Sequence, residues 1–192
     1  MRPRPRAPRA GRALTALLLS AAIAIARISS SLAASLPLAS APALTLDAAR
    51  HGVTLTLDAV HGAALRQVAR GQPAALPGDP ARYRSAVLVL DDVTLTAAGA
   101  RGGYFYRIYI VPAGDGQVSE RQQVGTLGPF EVSAARQRGV GALRYTLGGA
   151  LAGSGGERLG AVEVVFRRAG GEDVALMGIG GMRVELSTEV EN

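Results

Sequence analysis

From Leu44 onward, apolar and polar residues alternate in short runs that are separated by Gly and Pro. In residues 53–58, VTLTLD, the Val and both Leu share one face of an extended chain, while both Thr and the Asp share the other. Such alternation is typical of a half-buried β-strand. No run of 12 or more residues in this part keeps helical periodicity. The pattern predicts an all-β fold, a single antiparallel β-sandwich or barrel of about six to eight strands.

Individual strands follow from the same pattern. Residues 86–95, AVLVLDDVTL, begin apolar on both faces, which is typical of a central strand. The other predicted strands are VGTLGPFEV (124–132), LRYTL (143–147), AVEVVFR (161–167) and GMRVELST (181–188). Residues 146–153, TLGGALAG, are compatible with one short helical turn. Residues 70–80, RGQPAALPGDP, are rich in Pro and Gly, so we expect a mobile connector there.

Residues 1–43 follow a different pattern, and we expect a non-globular leader. This segment has six Arg and no Asp or Glu, and its residues 13–26 form an uncharged apolar run of 14 residues. A membrane-spanning helix needs about 20 residues, whereas a signal-peptide core has this length. We therefore predict export to the periplasm or the cell exterior, without a stable membrane span after the leader is removed. Cleavage is expected near Ser31 and Ala33 or at residues 41–43. The alternatives are an uncleaved amphipathic tail and a misassigned start codon, and without a true signal peptide the protein would be cytoplasmic.

The positive charge of the chain lies in this leader. The whole chain carries a formal charge of +6, yet residues 44–192 contain 15 Arg and 15 acidic residues. Because the predicted β domain is neutral overall, we expect no nucleic-acid partner. The chain has no Cys, which excludes disulfides, thiol nucleophiles and thiolate metal sites.

Candidate catalytic and metal-binding residues are few. His51 and His61 are the only two His in the chain, and a zinc site needs three or four ligands. The carboxylate pairs Asp91–Asp92 and Glu172–Asp173 are adjacent residues, and adjacent strand residues point to opposite faces. We therefore predict no enzyme activity and no cofactor.

Aromatic residues concentrate in one segment, YFYRIYIV, residues 104–111. In a strand, Tyr104 and Tyr106 share one face, whereas Phe105, Arg107 and Tyr109 share the other. Packing within the sheet, with the tyrosine hydroxyls at its rim, is the expected role. The segment departs from the RNA-recognition strand motif, because Gly103 stands where that motif has an aromatic residue.

Three segments, YRIYI (106–110), VGTLGPFEV (124–132) and IGGMRVEL (179–186), give the chain a family resemblance. Together with the strand LVLDDV (88–93), they resemble the C-terminal β domain that follows the copper domain in tyrosinases and polyphenol oxidases. The resemblance covers roughly residues 85–189. We therefore divide the chain into the leader 1–43, a first strand and connector at 44–84, and a tyrosinase C-terminal-like β domain at 85–192.

In that family, this domain packs over the entrance of a dinuclear copper site, and in latent enzymes it plugs the site until proteolysis removes the cover. The six copper-binding His lie on a helical bundle that precedes the β domain, and this chain, with two His, has no such segment. The family's plugging residue has no aligned position in this chain.

The resemblance implies a non-catalytic β domain that acts by protein contact, as a shield or assembly partner for a separately encoded copper oxidase. The expected partner surface includes Tyr104, Tyr106 and Tyr109. Two alternatives remain open. One is a stand-alone secreted module that binds a small ligand or a glycan, and the other is a truncated remnant of a tyrosinase.

Overall fold

Antiparallel strands dominate the protein, as the alternation of apolar and polar residues predicts. The computed structural model describes residues 34–114, 117–118, 122–152 and 159–190. The strands are β1 (Ser35–Ala41), β2 (Leu44–Leu46), β3 (Arg50–Thr56), β4 (Ser85–Asp91), β5 (Thr94–Leu95), β6 (Tyr104–Gly114), β7 (Gln117–Val118), β8 (Gln122–Leu127), β9 (Ala142–Thr146), β10 (Ala161–Gly170), β11 (Met177–Ile179) and β12 (Gly181–Ser187). The α-helices are α1 (Ala59–Ala69), α2 (Pro129–Gln137) and α3 (Gly148–Ala152), and a 3-10 helix covers Gly99–Arg101.

These strands form three sheets. The first has the order β1-β12-β4-β9, and the third has the order β2-β11-β5. In the second sheet, β3, β10 and β6 are neighbours, and both β7 and β8 pair with β6. Side chains on the inner faces of the first two sheets meet in one apolar cluster, which includes Leu88, Leu90, Ile108, Ile110, Val164, Phe166, Val184 and Leu186. The protein is therefore built as a β-sandwich with one main core.

The predicted fold class is confirmed. Eight of the strands in the described residues have five or more residues, which agrees with the predicted number, and the four others have two or three. The predicted central strand is β4, which lies between β12 and β9. Strands β9, β10 and β12 match the predicted runs, and α3 lies within the predicted helical turn.

Helix α2 corrects one prediction, because the run 124–132 is not a single strand. Strand β8 ends at Leu127, and α2 begins at Pro129, the first helical position, with Gly128 as the extended N-cap. Proline suits this position because its missing N–H would have no partner in the first turn of a helix.

Helix α1 was not predicted. It has 11 residues, fewer than the 12 over which we sought helical periodicity, and it buries Leu65, Val68 and Ala69 on one face. Asp58 caps its N-terminus, because the carboxylate accepts a hydrogen bond from the backbone N–H of His61 at 2.8 Å.

Strand β1 lies inside the segment predicted to be leader, yet it is part of the first sheet. It pairs with β12 from Ser35↔Ser187 to Ala41↔Met182, and Leu38 is buried in the core. Residues 44–84 contribute Leu46, Leu55 and Leu65 to the same core. The described residues thus belong to one compact unit, Ser31–Asn192. Residues 1–33, with the predicted signal-peptide run, lie outside the described residues. Within the described part of the chain, no helix has the length and apolar character needed to cross a bilayer.

Candidate protein-contact face

Tyr104 and Tyr106 lie on the inner face of β6. The two residues are 6% and 0% exposed, and their rings meet edge to face, with centroids 5.9 Å apart. Their hydroxyls donate hydrogen bonds to the backbone carbonyls of Leu176 (3.3 Å) and Leu46 (3.2 Å). Leu176 immediately precedes β11 and Leu46 lies in β2, so both tyrosines connect the third sheet to the second. Burial raises the pKa of both hydroxyls. Both residues are core residues, and their burial removes them from the predicted partner surface.

The outer face of β6 carries the other half of the aromatic segment. Phe105 is 37% exposed and Tyr109 is half-buried. The guanidinium carbon of Arg107 lies 5.7 Å from the centroid of the Phe105 ring, within the range of a cation–π contact. Of the three predicted surface tyrosines, Tyr109 is therefore the one that lies on an outer face.

Three arginines cross this outer face in register. Arg167 in β10 pairs directly with Arg50 in β3 on one side and with Arg107 in β6 on the other. Residues directly opposite in an antiparallel pair point to the same face, and like charges in these positions repel. The next row, Tyr109↔Val165↔Gly52, is apolar except for the tyrosine hydroxyl. We call the set Arg50, Arg107, Arg167, Phe105 and Tyr109 the Arg-aromatic face.

The acidic groups near this face do not neutralise its positive charge. Glu163 lies 3.5 Å from the guanidinium of Arg50. Neither Arg107 nor Arg167 has an ion-pair partner within the described part of the chain. The face therefore keeps a positive charge although the β domain as a whole is neutral.

An exposed phenylalanine follows a turn that approaches the face. Phe130, at the start of α2, is 80% exposed. A Cβ added to Gly128, two residues earlier, would lie 3.4 Å from the Cβ of Phe105, so the turn before α2 packs against the face. Exposed aromatic residues beside arginines are typical of the centres of protein interfaces.

The predicted metal and acid–base candidates are separated in the structure. His51 lies in β3, and His61 lies in α1 with its Nδ1 3.0 Å from the Asp58 carboxylate. No three His, Cys, Asp or Glu side chains come together as in a metal site within the ranges that the structure describes. Glu172 pairs with Arg101 at 3.0 Å, and Asp173 pairs with Arg168.

A second group of charged residues lies on the outer face of the first sheet. Glu185 is buried, and its carboxylate is held by Arg183 Nε at 2.5 Å and by Arg144 Nη1 at 3.3 Å. Arg183 also pairs with Asp91. The two arginines neutralise the two carboxylates. The network therefore links β4, β9 and β12 and leaves no net charge on this part of the sheet.

The sequence did not reveal the arginine row. Arg50, Arg107 and Arg167 are separated by about sixty residues each, and each stands at an ordinary polar position of its strand. The only local signal was Arg107 on the same strand face as Phe105 and Tyr109. The row exists only once the register between the three strands is known.

Comparison with known proteins adds little to this description. No protein-family model and no curated protein matches the chain. One solved structure, titled Desmodium yellow mottle tymovirus, aligns with 100% of this chain and 97% of that chain, at 11% sequence identity and a TM-score of 0.29. An alignment with so low a TM-score carries no argument about fold or function.

Proposed function

We propose that this protein is a non-catalytic β domain that acts by protein contact, as a shield or assembly partner for a separately encoded copper oxidase of the tyrosinase type. The resemblance of residues 85–189 to the tyrosinase C-terminal domain suggests the class of partner. The Arg-aromatic face supplies the surface. The observation that carries the proposal is the row of three arginines in register on an exposed sheet face.

An acidic partner surface would complete this row. Arg167 lies between two arginines, and carboxylates from a partner would neutralise the repulsion among them. The planar guanidinium group binds carboxylates through two parallel hydrogen bonds, which gives the contact direction as well as strength. Phe105 and Phe130 add apolar area beside the charges. We therefore expect association to be fast at low salt and to weaken as salt is added.

We further propose that the protein is exported, so that it meets its partner in the periplasm or outside the cell. The leader sequence supports export, and the position of β1 bears on where the leader is cut. Cleavage after Ala33 would leave β1 attached to its sheet, whereas cleavage at residues 41–43 would remove it.

Co-expression with a tyrosinase-type oxidase encoded beside the gene tests the proposal. Association, copper content and diphenol oxidation are measured with and without this protein. We expect a complex, together with a change in copper loading or in activity. Arg167→Glu should weaken association at least tenfold, which is about 1.4 kcal/mol. Phe130→Ser should weaken it as well.

Arg82→Glu is the matched control, because it makes the same charge change at an exposed arginine in the connector before β4. It should change association less than twofold. The absence of a complex, or a complex that Arg167→Glu and Arg82→Glu weaken equally, would contradict the proposal.

A further inference from the structure

A cleft lies beside helix α1, and none of the residues that line it belongs to the Arg-aromatic face. It has a volume of about 340 Å³ and is lined by residues 57–59, 62, 63, 66, 159 and 160. Residues 59, 62, 63 and 66 are spaced at three and four, so they form one face of the helix. Three of these four are Ala or Gly, and the fourth is Arg66. The small residues make room along the helix, and Leu57 and Leu159 supply apolar walls.

Arg66 carries a polar atom without a partner. Its Nη1 is buried and has no hydrogen-bond acceptor. Buried side-chain nitrogens in folded proteins almost always have an acceptor, and a buried charged group without one is unfavourable. Arg66 is also absent from the ion pairs of the described residues.

Asp58 is the acidic residue on the wall of this cleft, and both of its carboxylate oxygens already have partners. One carboxylate oxygen accepts a hydrogen bond from the backbone N–H of His61 at 2.8 Å. The other lies 3.0 Å from the Nδ1 of the same histidine. Asp58 therefore serves as the helix cap and does not neutralise Arg66.

The walls of the cleft are fixed by the backbone. Leu57 donates a backbone hydrogen bond to the carbonyl of Gly160 at 2.8 Å. Across the cleft, α1 approaches so closely that a Cβ added to Gly62 would lie 2.1 Å from the carbonyl oxygen of Leu159. The backbone walls of the cleft are thus already formed in the folded protein.

We propose that this cleft binds a small carboxylate with an apolar body. The carboxylate would accept hydrogen bonds from the Arg66 guanidinium, and a movement of this side chain toward the cleft would bring the buried Nη1, which lacks an acceptor, within reach. The apolar body would lie against Leu57, Ala63 and Leu159. The volume suits a ligand of roughly ten non-hydrogen atoms, at the small end of ligand sites. This binding activity is independent of the proposed protein contact, because it uses no residue of the Arg-aromatic face.

A matched pair of probes tests the proposal on the full-length chain. 3-Phenylpropanoate carries the carboxylate, and 3-phenylpropanamide has nearly the same shape without the charge. Each is titrated into ¹⁵N-labelled protein while the amide signals of α1 and of residues 159–160 are followed. We expect the carboxylate to shift these signals and to bind at least tenfold more tightly than the amide. Equal binding of the two probes, or no shift with either, would overturn the proposal.

Variants locate the site. Arg66→Gln should weaken carboxylate binding at least tenfold, and Ala63→Phe should block it by filling the cleft without changing the charge. Arg70→Gln, at the exposed C-terminal end of the same helix, is the control and should bind as the parent does. Carboxylate binding that survives both Arg66→Gln and Ala63→Phe would also overturn the proposal. The comparison of the two probes needs no variant, so it decides the question even if a variant fails to fold.

Discussion

Gly62 shows how one missing methyl group positions a helix. Its backbone lies against the carbonyl of Leu159, where a Cβ would come within 2.1 Å of the oxygen. Gly62→Ala should therefore push α1 away from residues 159–160 and lower the free energy of unfolding by about 1–3 kcal/mol, as overpacked sites do. Urea unfolding followed by circular dichroism measures the change.

Gly149 gives the matched comparison. It also lies in a helix, α3, but a Cβ added there would meet no atom within 4 Å. Alanine favours helical backbone over glycine, so Gly149→Ala should raise the free energy of unfolding by up to about 1 kcal/mol. If both substitutions change stability in the same direction, the close approach at Gly62 does not control the position of α1.

Buried tyrosines make the protein sensitive to alkali. Burial, together with the hydrogen bond that its hydroxyl donates to Asp79 at 2.5 Å, raises the pKa of Tyr83 to about 12. Burial also raises the pKa values of Tyr104, Tyr106 and Tyr145. In the unfolded chain a tyrosine loses its proton near pH 10. Above that pH the folded state binds more protons than the unfolded state, so the free energy of unfolding must fall as the pH rises.

We expect stability to be constant between pH 8 and 9 and to fall from about pH 10 toward pH 12, by up to about 1.4 kcal/mol per pH unit for each such tyrosine. Tyr83→Phe should be less stable than the parent at pH 8, because it lacks the hydrogen bond to Asp79. The difference between the two proteins should shrink as the pH approaches 12. Urea unfolding at a series of pH values measures both effects, and a constant difference would show that Tyr83 does not contribute.

At the scale of elements, the row Arg50–Arg167–Arg107 should cost the free protein stability. Arg167→Glu would replace two repulsive cross-strand neighbours by two attractive ones. We expect this variant to be more stable than the parent by about 0.5–1 kcal/mol at low salt, and the gain should decrease as salt screens the charges. The same substitution should weaken partner association, so stability and binding would change in opposite senses. A variant that is less stable than the parent at low salt would show that the row is not repulsive.

Alternation along the sequence was sufficient to predict strands such as β3, β10 and β12, because each has one face in the core and one face outside. It failed at residues 124–132, where the apolar pattern continues from β8 into α2 and only Pro129 marks the change. It also could not show that Tyr104 and Tyr106 point into the core whereas Tyr109 lies on the outer face. Alternation divides a strand into two faces, but which face is inside depends on the sheet that packs against it.

Neither the Arg-aromatic face nor the cleft beside α1 could be predicted from the sequence, for a related reason. The arginine row depends on register between strands that are distant in sequence. The cleft depends on how closely α1 approaches residues 159–160. A local sequence pattern reveals neither the register between distant strands nor the approach of α1. The alternation of apolar and polar residues, in contrast, was sufficient to predict the fold class.

At the scale of the whole molecule, β1 covers an edge of the first sheet. It pairs with β12 along its length and buries Leu38 in the core. Without β1, the backbone groups of β12 on that side would lose their partners, and an exposed strand edge favours aggregation. The mature protein should therefore keep β1, and its N-terminus should lie at or before Ser35.

Two chains test this expectation, one comprising residues 34–192 and the other residues 44–192. Loss of the buried Leu38 side chain alone should cost about 1.5–3 kcal/mol, and loss of the β1–β12 pairing adds to it. Since a domain of this size is stable by only about 5–15 kcal/mol, the shorter chain should unfold at clearly lower urea concentration or aggregate.

Leu38→Ala in the longer chain separates the two contributions, because it removes the side chain and keeps the pairing. Equal urea midpoints for the two chains would mean that β1 is dispensable, and cleavage at residues 41–43 would then be compatible with a folded protein. If the protein is exported as we propose, mass spectrometry of the mature chain would show which cleavage position the cell uses.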